Sequence, residues 1–577
     1  MIFTNWIKSS PNVKSRAKRR ILNYLRGYHI LKKTNQLDKI TVIRNDLGHT
    51  PLSIKAGNRS RDLFGVGDNV EIIIRQFILT SMEFELNKAL LFSIGSTKKT
   101  ISYGLPEEWQ NVVRSHGFEV NSKRSTFLWY SNVFYFFLKG IYRILEICWE
   151  SIFEIIGPSN IENGSYTFFC DLSPKNLPVK CQDGKSYDII TWYQNWDKRP
   201  SSITKIVHDV KSASDILSLG MPIIKSRHRI PPLRNFKTIV NFFCISIRLI
   251  FFAFFALFRK SYWQALMLPE AILAAKMKVQ ATERIAKEYM IHCSSFLYRP
   301  LWTYEAEKKG SKILFYFYST NHESFKQPNQ YPFQDHNWHL ITWSNYLVWD
   351  SYQANFIERA IGPNKKTHIV GPINFTDSNL ECDLPSSEFI ISVFDVQPQR
   401  DSAYQMLGIP IEYYIPEVSI SFFSDIDSIL QAKGIKMVLK RKRNIGKLVH
   451  HLYSTFLNEL SKKGNLIEID PDVAAQRVIE KSDLVISMPF TSTAIIARGM
   501  GKPSIYYDST GKVQKDDRAA HGIPVIIGHA ELDKWVSSVL IEKQRNDTTM
   551  DKQPLAAKGA VLTHYSERIT NRRKDSL

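Results

Sequence analysis

Cysteine is scarce in this 577-residue chain. Its six cysteines (Cys148, Cys170, Cys181, Cys244, Cys293, Cys382) are scattered, with no CxxC pair and no Cys/His spacing suited to zinc. This excludes a disulfide-stapled scaffold and a zinc module, and fits the reduced thiols of a cytoplasmic protein. Several catalytic motifs are also missing. There is no GxxxxGK[ST] phosphate loop, no HExxH and no GxSxG elbow. Asp425-Ile426-Asp427 spells DxD but opens a helical pattern, DIDSILQAKG, so no metal–diphosphate site and no cofactor are expected. The N-terminus has no long apolar core followed by a small-residue cleavage site, so no secretory signal is expected. Internal repeats and low-complexity blocks are absent.

What is present is size, apolar content and positive charge. A chain this long exceeds one typical core, and two globular domains with additional elements are expected. A 44% hydrophobic fraction is enough for most of it to fold. Net charge is +21, which suits nucleic acid, an anionic membrane surface or phosphorylated small molecules. No nucleic-acid reading helix or aromatic RNA motif stands out, so nucleic acid is not an expected partner. Residues 1–40 carry ten Lys or Arg against Asp38 alone, which suits a solvated arm or an electrostatic tether to lipid.

Two apolar stretches depart from a simple soluble pattern. Residues 239–258 (IVNFFCISIRLIFFAFFALF) are long enough to span a bilayer, but Arg248 lies near the middle and basic residues flank both sides. Charge on both sides favours a helix lying in the plane of an anionic leaflet over a span, with a buried core helix as the other option. Residues 127–156 are similar, with Lys139, Arg143, Glu146, Glu150 and Glu154 breaking the run.

The expected organisation has four sections. Residues 1–160 form a basic extension with an apolar helix. Residues 161–378 alternate short apolar runs, such as Tyr166 to Cys170, Tyr187 to Trp192 and Ile313 to Tyr318, with helical ones. Residues 385–545 alternate strand and helix more clearly. Residues 546–577 form a C-terminal helix and basic tail. In the third section, strands at Phe389 to Phe394, Lys436 to Leu439, Leu466 to Ile469, Leu484 to Ile486, Ser504 to Tyr507 and Val525-Ile526 are separated by helical stretches. That alternation predicts a parallel sheet with helices on both faces. Ligands of such sheets bind at the carboxyl ends of the strands.

The candidate site residues lie at those ends. The stretch KSDLVISMPFTSTAIIARGMGKPSIYYD (481–508) reads strand, hydroxyl-rich turn, helix, strand. Thr491, Ser492 and Thr493, after Pro489, fall where a helix N-terminus offers free N–H groups, a seat for phosphate, or else an ordinary helix cap. A second strand delivers Lys440, Arg441, Lys442 and Arg443 to the same edge, as phosphate ligands or as a solvated loop. Asp395, after the first strand, suits a hydroxyl contact or a turn cap. Asp508 suits a ribose or sugar diol. His322 and Glu323, after the ILFYFY strand, and Asp171, after Tyr166 to Cys170, are candidate bases for an acceptor hydroxyl.

The runs ISMPFTSTAIIARGMGKPSIYYD, LVWDSYQANFIERAI and HIVGPINF resemble bacterial polysaccharide-biosynthesis proteins of the PFTS-motif type, over roughly residues 160–545. Pro489-Phe490-Thr491-Ser492 is the most specific piece. Such proteins are similar to glycosyltransferases of the two-domain GT-B fold. The resemblance implies two Rossmann-like domains facing a cleft, an N-terminal one for the acceptor and a C-terminal one for a nucleotide sugar, with metal-independent transfer between them. Consecutive hydroxyls at this turn are similar to those of transferases using CMP-activated acidic sugars. Those enzymes usually carry a His-Pro pair where this chain reads VLKRKRN, so CMP, UDP and GDP donors all stay open. The expectation is a peripheral glycosyltransferase on the inner face of the plasma membrane, acting on a glycan or lipid-linked acceptor. A nucleotide-sugar epimerase or hydrolase, and a non-catalytic scaffold on the same fold, are the alternatives.

Overall fold

The computed structural model describes residues 11–550 except 54–69, 97–99, 157–164, 180–183, 259–261, 296, 321, 332–336, 385–388, 401–412 and 443–444. A short parallel pair, β1 (Thr100–Ile101) and β2 (Glu119–Val120), lies among the N-terminal helices. Two larger sheets follow. The first holds β3 (Tyr166–Phe169), β4 (Lys205–His208), β5 (Ile216–Ser218), β6 (Met221–Lys225), β7 (Glu288–His292), β8 (Lys312–Tyr316), β9 (Asn345–Val348) and β10 (Lys366–Ile369). The second holds β11 (Ile391–Phe394), β12 (Met437–Lys440), β13 (Leu466–Ile469), β14 (Leu484–Ser487), β15 (Ser504–Asp508) and β16 (Val525–Ile527).

Strand order in the second sheet is β13-β12-β11-β14-β15-β16, all parallel. Counted from its first strand this is 3-2-1-4-5-6, the doubly wound order. The first sheet runs β10-β9-β8-β7-β3-β4-β6-β5 and is parallel except for the β5–β6 hairpin. Its order also reverses beside its first strand, between β3 and β7. The fold is therefore α/β with two Rossmann-like sheets, the GT-B-like layout, preceded by a helical section. Strands β3, β7, β11, β12 and β14 are buried along their whole length. Helices cover both faces of a parallel sheet, so its central strands are largely apolar, with polar residues such as Glu288, His292 and Lys440 at strand ends.

Tyr187 to Trp192 is not a further strand. Asp188 caps a helix at Ile189–Gln194, its carboxylate accepting from the N–H groups of Ile190 and Thr191. The local cap outweighs the run's β-branched and aromatic content. The apolar segment forms the helix Phe236–Leu257, inserted between β6 and β7. It packs on the helices Ser122–Ile156 and Leu268–Val279 of a separate helical core, away from the sheets.

Candidate functional site

Both sheets place an aspartate just past their first strand, at the point where strand order reverses. In the second sheet this is Asp395, after β11. The neighbouring strand β14 ends at Ser487 and runs into the Pro489–Thr493 turn, with the Met488 N–H still paired to the Phe394 carbonyl at 2.8 Å. Asp395 and the hydroxyl turn therefore adjoin at the carboxyl ends of the strands.

The turn leads into the helix Ser492–Gly499. Thr491 occupies the N-cap in extended backbone but makes no side-chain cap bond. Its hydroxyl instead donates to the Met488 carbonyl at 3.0 Å and lies 3.1 Å from the Thr493 hydroxyl. Thr493 also meets Ser487 at 2.9 Å. The Tyr506 hydroxyl donates to the Thr491 carbonyl at 2.7 Å, and Tyr414 donates to the Pro489 carbonyl at 2.7 Å. The turn is thus fixed from behind by two tyrosines. Ser492 faces the other sheet: its Oγ accepts from the Thr320 N–H at 3.1 Å. Ser487 and Thr320 were not singled out from the sequence. Ser487 was visible as the polar end of an apolar strand, whereas nothing local marks Thr320.

Lys440 ends β12, two strands from β14, so their backbones are about 10 Å apart. It is 7% exposed. Burial lowers its pKa to about 8 against the pull of Asp472, Asp395 and Asp470, which leaves it largely cationic at neutral pH. Arg441 pairs with Glu468 at 3.0 Å and lines a cavity of about 260 Å³ with Gln397, Gly446, Val449, Ser454 and Pro471. The Nε of Arg441 and the Oε1 of Gln397 are buried without a partner. Arg443 lies outside the described residues. Asp395 is buried, with its Oδ2 accepting from the Tyr453 hydroxyl and its Oδ1 unpartnered. Burial raises its pKa to about 6, against the Tyr453 bond and the nearby Arg441 and Lys440 cations.

Several expected roles do not fit the geometry. Asp508 presents no free oxygen. It is fully buried, one oxygen taking Tyr413 and both donors of Thr510, the other the Val513 N–H at 2.8 Å. It shapes a turn instead of receiving a diol. His322 is wedged among Phe317, Trp338 and Phe356, with Nε2 3.0 Å from the Ser319 carbonyl. Glu323 has a buried carboxylate held by Arg359 and, at 3.0 Å, by Arg518. Both side chains are committed to packing or ion pairs. Asp171 remains at the β3/β7 switch point of the first sheet, half-exposed and paired with Arg229, which also meets Asp209 at 3.0 Å.

The two sheets meet through further contacts: Asp350 with His521 at 2.8 Å, and Asp517 with Tyr331 at 3.1 Å and the Lys326 N–H at 2.7 Å. Burial would raise the Asp350 pKa, but His521 and Arg498 hold it below the usual carboxylate range.

Two doubly wound parallel sheets in contact through their strand-end loops, with a hydroxyl turn on the second, define a GT-B-type α/β protein. The chain belongs to the polysaccharide biosynthesis PFTS motif proteins, whose family model matches residues 245–536. The match begins inside the Phe236–Leu257 helix, later than the resemblance expected from residue 160. No curated protein sequence matches the chain. Among solved structures it is similar to the wall teichoic acid polymerase TagF, with 13% identity, 78% of this chain and 99% of that chain covered, and a TM-score of 0.36. It is also similar to a sucrose-phosphate synthase from Thermosynechococcus elongatus, with 9% identity, 65% and 90% coverage and a TM-score of 0.32. A UDP-GlcNAc 2-epimerase from Methanocaldococcus jannaschii gives 10% identity, 65% and 92% coverage and a TM-score of 0.32.

Proposed function

We propose that the chain is a glycosyltransferase of surface polysaccharide biosynthesis, moving a sugar from a nucleotide-sugar donor to a glycan or lipid-linked acceptor. The observation that carries this reading is the Pro489–Thr493 turn at the switch point of a 3-2-1-4-5-6 sheet, with Ser492 facing Thr320 of the opposite sheet. A donor diphosphate would sit against the N-terminus of the Ser492–Gly499 helix. Ser492 and Thr493 would donate their hydroxyls to it, exchanging their present bonds for charge-assisted ones. Lys440 and Arg441 would neutralise the charge that develops as the nucleotide leaves. The cavity lined by Arg441, Gln397 and Ser454 would take a polar part of the donor.

The acceptor would approach from the switch point of the first sheet, where the exposed Asp171, beside Arg229, would be the base. The contacts between the sheets would align the reacting groups and exclude water. On this reading the enzyme works at the inner face of the plasma membrane and needs no metal.

The test is thermal unfolding with a panel of CMP, UDP and GDP nucleotides, for the wild type, Ser492→Ala and Thr493→Val. One nucleotide class should raise the Tm of the wild type. Each variant should bind it about 1–3 kcal/mol more weakly. No stabilisation by any nucleotide would overturn the reading. Donor consumption without acceptor would point to an epimerase or hydrolase instead.

A further inference from the structure

The helix Ser122–Ile156 is 35 residues long, so it extends about 52 Å. One face packs into the helical core through Trp129, Val133, Phe137, Ile144 and Ile147. The opposite face of a soluble protein's helix should be polar. Here it carries Phe134, Leu145 and Trp149, which are 50%, 64% and 64% exposed. The helix Phe236–Leu257 repeats the pattern. Phe242, Ser246, Leu249, Ala253 and Ala256 are buried in one stripe, while Phe243, Phe251 and Phe254 face outward.

The two outer faces adjoin across a buried ring: exposed Phe134 and Phe254 both contact Phe137, at 6.3 and 6.5 Å, and Phe254 meets Phe258 at 5.1 Å. Exposed aromatic and aliphatic side chains clustered on two adjoining helices are the kind of apolar patch that marks an interaction surface.

Charge at its margins selects the occupant. Leaving Glu154 aside, the exposed ionic side chains of the two helices are Lys123, Arg124, Lys139, Lys237 and Arg248, all cationic. The acids Glu146 and Glu150 are half-buried and paired with Arg143 and Lys276. Aromatic and aliphatic side chains on one face with cations beside them match the boundary between acyl chains and anionic headgroups.

The Phe236–Leu257 helix is long and apolar enough to cross a bilayer. A buried stripe nevertheless fixes it lengthwise to the protein, and Arg248 emerges midway, which a helix in the leaflet plane accommodates by snorkelling.

We propose that these two helices form one in-plane docking surface for an anionic lipid leaflet, and that it brings a lipid-borne acceptor to the edge of the first sheet. The C-terminal end of the first helix is tied to that edge. Glu150 lies 3.5 Å from His228, and the Ser151 hydroxyl accepts from the Leu233 N–H at 3.2 Å. The segment between them carries Arg229, the partner of Asp171. The inference extends the proposed transferase reading by naming where its acceptor arrives, and vesicle binding measured without nucleotide separates the failure of one from the failure of the other.

The experiment is flotation of the full chain with phosphatidylglycerol vesicles and with phosphatidylcholine vesicles. The chain should float with the anionic vesicles at least tenfold more than with the neutral ones. The variant carrying Phe134→Ser, Leu145→Ser and Phe251→Ser should lose at least tenfold of that binding. Anionic vesicles with brominated acyl chains should quench wild-type tryptophan fluorescence, and Trp149→Phe should remove part of the quenching; this readout holds even if the triple variant misfolds. Absence of flotation and quenching would overturn the proposal. So would a lipid-free dimer, seen by light scattering, that the triple variant dissolves and vesicles do not displace.

Discussion

The Asp395 carboxyl has one oxygen on the Tyr453 hydroxyl and the other buried without a partner. Desolvation is its dominant influence, and its pKa rises from 3.8 to about 6. The sign of the pH effect follows. Between roughly pH 4 and pH 6 the folded chain holds a proton that the unfolded chain releases, so stability falls as pH rises through this window and levels off above it. The ionised form costs the fold about 3 kcal/mol at pH 7, at about 1.4 kcal/mol per pKa unit. Asp395→Asn keeps an acceptor for Tyr453 and removes the charge. It should raise the Tm at pH 7 and flatten the Tm profile between pH 4 and 6; an unchanged slope would show that Asp395 is not the titrating group. A residue retained at such a cost, at the switch point of a ligand-binding sheet, is a site candidate on energetic grounds. The sequence placed Asp395 at the strand end correctly, but Tyr453, fifty-eight positions later, could not be paired with it from spacing alone.

At the scale of elements, the helices Pro11–Lys33 and Val70–Gly95 approach backbone to backbone. A Cβ on Gly27 would lie 2.2 Å from the Leu91 carbonyl oxygen, and one on Gly95 would lie 1.9 Å from that of Asn23. Neither obstacle can rotate away. Gly27→Ala gains about 1 kcal/mol of helix propensity and loses about 1–3 kcal/mol to overpacking. Separation of the helices should prevail, and the Tm should fall; a Tm equal to or above the wild type would contradict the close approach. Legibility in the sequence divides along similar lines. The second sheet was readable because buried parallel strands are short apolar runs, and Gly501, at φ +71°, marks the tight return from helix to β15. Tyr187 to Trp192 misled because its apolar content masked a capping aspartate. Asp508 misled because its polar partners, Tyr413, Thr510 and Val513, depend on tertiary placement. The apolar character of 239–258 was evident, but its packing on the long helix before it was not, since periodicity does not say which element covers which face.

At the scale of the molecule, the two sheets are joined by a buried ion pair as well as by the strand-end loop contacts. Arg477, on the helix Ala475–Lys481 of the second sheet, forks onto Asp377 in the connector between β10 and β11, with Nε at 3.1 Å from Oδ1 and Nη2 at 2.8 Å from Oδ2. Nη2 also donates to the Lys185 carbonyl at 2.8 Å, and the guanidinium lies 5.3 Å from the Tyr187 ring. The Tyr187 N–H completes the Asp377 carboxylate at 2.8 Å. Lys185 and Tyr187 belong to the first half, so one guanidinium fixes the connector to both. The side chains are 6% and 0% exposed, and removing one partner strands a charge in the interior. Arg477→Met should cost about 3–5 kcal/mol, because an uncompensated buried carboxylate is far more expensive than the intact pair is stabilising. Arg477→Met combined with Asp377→Asn should recover part of that loss, since the stranded charge disappears with it. Urea unfolding of the two single variants, the double variant and the wild type gives the coupling directly. A coupling near zero would mean that the clamp is an incidental contact. A strong coupling would make it the joint about which the sheets hold their separation, on which the alignment of donor and acceptor depends.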